Sequence, residues 1–323
     1  MSLSLISTEV FDVDYGQTVD DVFIYFTSLL LRNLPTLSPL STSEGIGLGK
    51  REREELPSWC PDYSIKNSMN LNNRREQIQY GIPGFAASLV DGGDSPSCRI
   101  DGRILYVPRK RIHKVSEFGP LMNRMFTTHK MHADAGIAIL LDICLKMDPR
   151  HNLTGQDRLE VLWRTLIQDI DFDGGSRCRC PADHSIFSPL FSAFIALYAT
   201  VVLKALKEIE LQNYLKVLKQ WEDSFATSAA FPTVSTILKV AKMSEQGMNG
   251  FLTLYSKNTA SFVSEHQFLA LTLLKHAAVP FILRENGQSQ YQLVGEAYVH
   301  GIMHGELVAG PGGMEGFHEI EIV

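Results

Sequence analysis

A chain of 323 residues with 45% hydrophobic and 20% charged residues has the composition of a soluble globular protein, and its length suffices for one large domain or two smaller ones. Its 30 basic and 36 acidic residues leave a formal charge of -6, which offers no general attraction to nucleic acid or to an anionic membrane surface. The five cysteines, Cys60, Cys98, Cys144, Cys178 and Cys180, are odd in number and sparsely spaced, which fits a reducing cytoplasmic compartment better than a disulfide framework.

The N-terminus lacks the basic region and apolar core of a secretory signal. A first helix is expected over Val19 to Leu31: Thr18 and Asp21 supply a capping-box start, and Val22, Phe23, Phe26, Leu29 and Leu30 fall on one face. Residues 1–34 are therefore expected to be an N-terminal helical segment. Residues 35–55, rich in Ser, Pro and Gly and ending in a charge run, read as a flexible loop. Residues 56–308 are expected to be one α+β domain, with 309–323 a loose, glycine-rich tail.

That domain opens on Leu56-Pro-Ser-Trp-Cys-Pro-Asp-Tyr-Ser64, where Trp59 and Tyr63 are anchors, Cys60 is a packed thiol and Asp62 caps a turn. Strands follow between Tyr80 and Val115, with Ile104 and Tyr106 on one face and Leu105 and Val107 on the other. The basic run Arg109, Lys110, Arg111, His113 and Lys114 reads as an edge or solvated strand.

A helix over Gln156 to Gln168, capped by Thr154 with Asp157 completing the box, buries Leu159, Leu162, Trp163, Leu166 and Ile167, with Trp163 as its main anchor. Glu160 is placed to pair with Arg164 one turn on. Ile186 to Leu203 carries no charge and borders on the length of a membrane span. Its internal Ser, Pro and Thr residues and its run into Lys204 favour a buried helix, and no membrane is assigned. The helical stretch continues in one or two pieces to Trp221, and a short helix follows over Val234 to Met243. Near the C-terminus, Val279–Arg284 and Tyr291–Val294 flank Asn286-Gly287 as a hairpin. The class is α+β: a mostly helical body packed with short antiparallel strands, including this hairpin.

Three constellations carry possible chemistry. Asp169, Asp171, Asp173 and Gly174 match the first half of a calcium loop, but the twelfth position is Cys180 and Arg177 and Arg179 sit among the donors, so an acidic turn is the better reading. Cys178, Cys180, Asp183 and His184 form one compact donor cluster where structural zinc wants two spaced pairs. Glu296, His300, His304 and Glu306 lack the spacing of a zinc-protease helix, and read as strand, turn and surface carboxylate. No nucleophile elbow, phosphate loop or dinucleotide fingerprint occurs, and no stacking surface joins a basic channel. No catalytic residue, cofactor or metal site is therefore assigned, and nucleic acid is not expected as a partner.

Several of these segments, in order, resemble the C-terminal region of fungal heterokaryon-incompatibility domain proteins. Leu56–Ser64 is similar to the family's Leu-Pro-Ser-Trp-x-Pro-Asp-Trp-Ser stretch, with Tyr63 at the second Trp. Phe85-Ala-Ala-Ser88 is similar to the small-residue segment that follows, and Gly102–Gly119, with Ile112-His-Lys-Val115, to a strand pair. Arg158-Leu-Glu-Val-Leu-Trp-Arg-Thr-Leu166 resembles the family's Glu-Ala-Leu-Trp-Arg-Thr-Leu helix. Pro280–Arg284 and Tyr291–Glu306 resemble its closing hairpin, with His304 at a frequent Asp. Ser261–Ala278 departs from the family by lacking the Gly-Asp strand start. The motifs of the family's N-terminal signalling domain are not found, and Met1 falls at a point resembling the linker after it. The resemblance implies a non-catalytic regulatory or partner-binding remnant that does not signal cell death by itself and acts through a protein partner or self-association. The competing readings are a metal-assisted hydrolase built on Cys178, Cys180 and His184 or on Glu296, His300 and Glu306, and a folded relic.

Overall fold

A computed structural model describes residues 16–34, 36–43, 53, 55–65, 85–88, 98–114, 136–172, 178–241, 269–274, 277–287, 290–309, 311–313 and 315–323. In chain order the elements are α1 (Val19–Asn33), a 3-10 helix (Ser38–Thr42), β1 (Arg99–Asp101), β2 (Ile104–Lys114), α2 (Gly136–Lys146), α3 (Arg158–Leu166), β3 (Asp171–Phe172), β4 (Cys178–Arg179), α4 (His184–Ala205), α5 (Glu208–Ser224), α6 (Val234–Val240), β5 (Leu269–Leu274), β6 (Phe281–Glu285), β7 (Gln290–Glu296) and β8 (His318–Ile322). The fold is α+β, with helices and strands largely segregated. Two compact units divide the chain: 1–79, 83–116 and 266–323 form the first, and 80–82 and 117–265 the second. This replaces the single domain expected over 56–308. Residues 117–265 of the second unit are inserted between β2 and β5, and local periodicity carries no record of which distant strands pair.

In the first unit, strands join in the order β1-β2-β5-β6-β7-β8, and a further β2–β8 pairing closes β2, β5, β6, β7 and β8 into a ring. The eleven-residue β2 makes this possible. Residues 105–109 pair with β8, while 104–106 and 109–114 pair with β1 and β5. All contacts are antiparallel except the short β7–β8 pairing at Gln290 and Tyr291. Register shifts at Arg111/His113 and Ile282/Leu283 give the bends that closure requires. Burial alternates along the strands, taking in Leu105, Val107, Phe281, Leu283, Tyr291, Leu293, Ile320 and Ile322.

β8 corrects the expectation of a loose tail over 309–323. His318-Glu-Ile-Glu-Ile322 alternates apolar and charged residues and pairs on both edges. The 36–43 stretch of the 35–55 loop is ordered too: Leu37 and Leu40 are fully buried, and Ser43 Oγ donates to the Trp59 carbonyl at 2.8 Å. Apolar side chains spaced through a Pro/Ser-rich stretch fold it onto the core. Thr18 caps α1 as expected, accepting from Asp21 N. α1 ends at Asn33, where Leu34 turns extended before Pro35. The β6–β7 hairpin also forms, though its register pair Glu285↔Tyr291 encloses a longer loop in which Gly287 alone of the Asn-Gly pair has positive φ.

In the second unit α4 is the central helix. Phe187, Phe191, Phe194, Ile195, Ala199 and Val202 pack with Trp163, Leu218, Trp221, Phe225, Phe231 and Ile237. α4 is apolar and long enough to cross a membrane by those criteria, yet 61% of its apolar window is buried within the protein. Leu206 is extended and breaks the stretch into α4 and α5. α3 is shorter than expected and is capped by Asp157, whose Oδ1 accepts from Leu159 and Glu160 N. Thr154, expected as the cap, instead belongs to a preceding turn, where it bonds the His151 ring at 3.1 Å. The Arg158 guanidinium donates to the Leu145, Met147 and Ser224 carbonyls. It thereby ties together the C-terminal ends of α2 and α5, where exposed carbonyls and helix dipoles favour a cation.

Candidate functional site

Among the described residues of the second unit, a buried cluster of charge is built on α3. Arg164, with 6% of its side chain exposed, donates from Nε to Glu160 Oε1 at 2.9 Å and from Nη1 to Asp169 Oδ1 and the Ala182 carbonyl. Its guanidinium lies 4.4 Å from the Trp163 ring centroid. Asp169 can reach back because Gln168 and Asp169 both hold φ of 56°, a left-handed conformation that ends the helix abruptly. His184 Nε2 stands 3.7 Å from Glu160 Oε2. Desolvation opposes the Arg164 charge, but hydrogen bonds to Glu160 and Asp169 outweigh it and hold its pKa above the usual value. The paired carboxylates are thus committed to a guanidinium. Asp169, first donor of the calcium-loop reading, also accepts from Ala182 N. The side chain of Asp171 lies outside the described residues, as do Asp173 and Gly174.

The first unit turns its motif polar groups inward. Ser58 N and Oγ both donate to the Val323 carbonyl, and Oγ accepts from Leu293 N at 2.9 Å. Trp59 Nε1 donates to the Arg103 carbonyl at 2.9 Å. Asp62 caps its turn, accepting from Ser64 N and Arg53 N. Cys60 is buried against Thr27 Oγ1 at 3.4 Å, and Thr27 also bonds the Tyr63 hydroxyl at 3.1 Å. Burial pushes the Tyr63 phenol up to about 12, which keeps it neutral. Phe85-Ala-Ala-Ser88 docks on the C-terminal block through Ala86 N to the Met303 carbonyl, Ser88 Oγ to the Ala277 carbonyl, and Phe85 edge-on to Tyr298.

In that block, His300 is buried with Nδ1 3.4 Å from the Tyr298 hydroxyl, while His304 is exposed and its backbone amide donates to Glu306. Gly301 and Gly305 have positive φ, so 300–304 turns rather than presenting two imidazoles on one helical face. Cys180 is half-buried and the Cys178 side chain lies outside the described residues. Among the described residues no three His, Cys, Asp or Glu side chains stand together as metal donors.

One group escaped the sequence reading. Arg109, expected on an edge or solvated strand, is 6% exposed. Its Nη2 donates to the Tyr291 hydroxyl at 2.8 Å, its Nε to His318 Nε2 at 3.4 Å, and its guanidinium carbon lies 4.2 Å from the Tyr291 ring centroid. β2 is paired on both edges, so the residue two beyond Val107 shares the buried face. That continued alternation, Leu105, Val107, Arg109, was the available signal, and the adjacent charges of Lys110 and Arg111 masked it.

No family model, no curated protein and no solved structure matches the chain.

Among the described residues the Ser58 hydroxyl bonds two backbone groups, the Val323 carbonyl and the Leu293 amide. A 110 Å³ cavity lined by Met147, Asp148, Arg150, His151, Asn152, Arg158 and Val161 lies beside the turn before α3.

Proposed function

We propose that this chain is a non-catalytic regulatory or partner-binding module of the heterokaryon-incompatibility type, corresponding to that family's C-terminal region and acting through a protein partner or self-association. The observation that carries the reading is the fate of the motif polar groups. Ser58, Trp59 and Ser88 bond backbone groups, and Asp62 and Arg164 bond backbone together with the side chains of Ser64, Glu160 and Asp169, inside the fold. Motifs of this kind specify a body, and the function then falls to its surface. Large apolar side chains stand exposed on the helical unit, with Ile209 at 81% and Ile186 at 48%, which suits protein contact.

The test is mass measurement of the purified chain across concentration, with affinity capture from fungal extract run in parallel. A partner or self-association that is lost on changing Ile209 and Ile186 to Asp supports the reading. A monomer that captures nothing specific removes it. Metal analysis of the same sample separates the competing enzyme class, because stoichiometric zinc would replace the module by a metal-assisted hydrolase.

A further inference from the structure

Among the described residues two arginines, Arg109 and Arg164, are buried, and they are treated differently. Arg164 has two carboxylates on its guanidinium. Arg109, buried to the same degree, has a phenol oxygen and an imidazole nitrogen, and among the described residues no carboxylate pairs with it. Its acidic neighbours on β8, Glu319 and Glu321, alternate onto the opposite face, where they meet Arg99 and Gln290. A guanidinium keeps its charge under all ordinary conditions. Taking such a charge out of water without a counter-ion is costly, whereas pairing it with an oxyanion through parallel N–H donors is favourable.

We infer that Arg109, Tyr291 and His318 form a binding site for a single oxyanion, a carboxylate or a phosphate group. Three strands build it. Arg109 and His318 are direct cross-strand partners on β2 and β8, and Tyr291 comes from β7 where that strand meets β8. Nη1 of Arg109 makes no hydrogen bond within the described structure. The Tyr291 hydroxyl accepts from Nη2, so its own proton is free to point at a ligand. His318 Nδ1 lies 3.4 Å from the Gly316 carbonyl, which assigns its proton there and leaves Nε2 as the acceptor facing Arg109. The site thus presents a full positive charge, a guanidinium edge and a hydroxyl, the donor set that planar oxyanions match. This inference does not depend on the proposed module function.

The experiment titrates the full chain with sodium acetate and, separately, with sodium phosphate at constant ionic strength against chloride, following the Arg109 Nε–Hε NMR signal and the thermal midpoint. Saturable movement of that signal is expected, together with a rise in Tm that Arg109→Met abolishes. The anion that saturates at lower concentration identifies the ligand chemistry. In chloride alone, Arg109→Met should melt at or above the wild-type temperature, since it removes an uncompensated charge. Tyr291→Phe guards against a misfolded methionine variant and should weaken binding about tenfold by deleting one charge-assisted donor. An Nε–Hε signal indifferent to both anions, with Arg109→Met melting well below wild type, would make Arg109 a tie between strands and overturn the inference.

Discussion

Replacing Arg164 by Met tests whether the charged cluster on α3 holds the helical unit together. The methionine keeps an apolar stem over Trp163 while deleting the charge and its donors to Glu160, Asp169 and the Ala182 carbonyl. Both abandoned carboxylates have only 13% of their side chains exposed. Removing one partner of a buried pair costs about 3–5 kcal/mol. The residual exposure of Glu160 and Asp169 places this case at the low end, about 3 kcal/mol, or a Tm lowered by roughly 6–12 °C for a unit of this size.

Two units need not melt together, so the measurement requires a local probe. Trp163 and Trp221 report on the helical unit and Trp59 on the other, so urea titration by fluorescence in a Trp59→Phe background isolates the first. Adding Glu160→Gln and Asp169→Asn to Arg164→Met should recover part of the loss, because amides bury without an unmatched charge. A single variant that loses less than about 1 kcal/mol, or a triple variant no better than the single, refutes the assignment of the cluster as the brace of this unit.

Three further outcomes follow from geometry. Ser58→Ala leaves the Leu293 amide buried without its acceptor and unties β7 from the Leu56–Ser64 segment, so a loss of about 1–3 kcal/mol is expected in denaturant titration, with faster hydrogen exchange at Leu293. Gly313→Ala would place a Cβ 2.5 Å from the Val308 carbonyl oxygen, a backbone atom. Residue 313 must then shift, disturbing the bond its carbonyl accepts from the Lys110 ammonium and destabilising by about 1–3 kcal/mol in thermal melts. Burial pushes the Cys144 thiol from 9.0 up to about 12, so the folded state retains a proton that the unfolded chain releases above pH 9. Stability conferred by the neutral thiol is intact below pH 9 and should fall by about 1.4 kcal/mol per pH unit above it, levelling beyond pH 12. Comparing urea midpoints of wild type and Cys144→Ala from pH 8 upward checks this, and parallel slopes would contradict it.

Where structure is set within one turn or one strand, the residues announce it. The Thr18–Asp21 cap and the Glu160–Arg164 pair depend on residues three or four positions apart, the β6–β7 hairpin on two strands joined by one short loop, and the Trp163 anchor on the apolar face of its own helix, and each was legible. Asp169 was not, because its approach to Arg164 depends on two consecutive non-glycine residues in a left-handed conformation that no local preference favours. Thr154 was a reasonable cap by type, but Asp157 lies where the first free amides of α3 emerge, and position decides between two residues of similar capping strength.

The larger misreadings share one physical cause, the closure of a ring across a long insertion. A strand's faces are defined by what lies on both of its edges. β8 and β5 reach β2 from 318–322 and 269–274, with the whole helical unit intervening between β2 and β5. Seen alone, a run of alternating cations at Arg109, Arg111 and His113 belongs on an edge, and a glycine-rich tail ending in Glu-Ile-Glu-Ile belongs in solvent. Once the tail is the ring's last strand, the same alternation turns Ile320 and Ile322 inward, and the register sets His318 opposite Arg109. The burial of a cation and the ordering of the C-terminus are then a single event. A chain shortened before His318 should lose both: Leu105 and Val107 would gain an open edge beside them, and Arg109 would return to water.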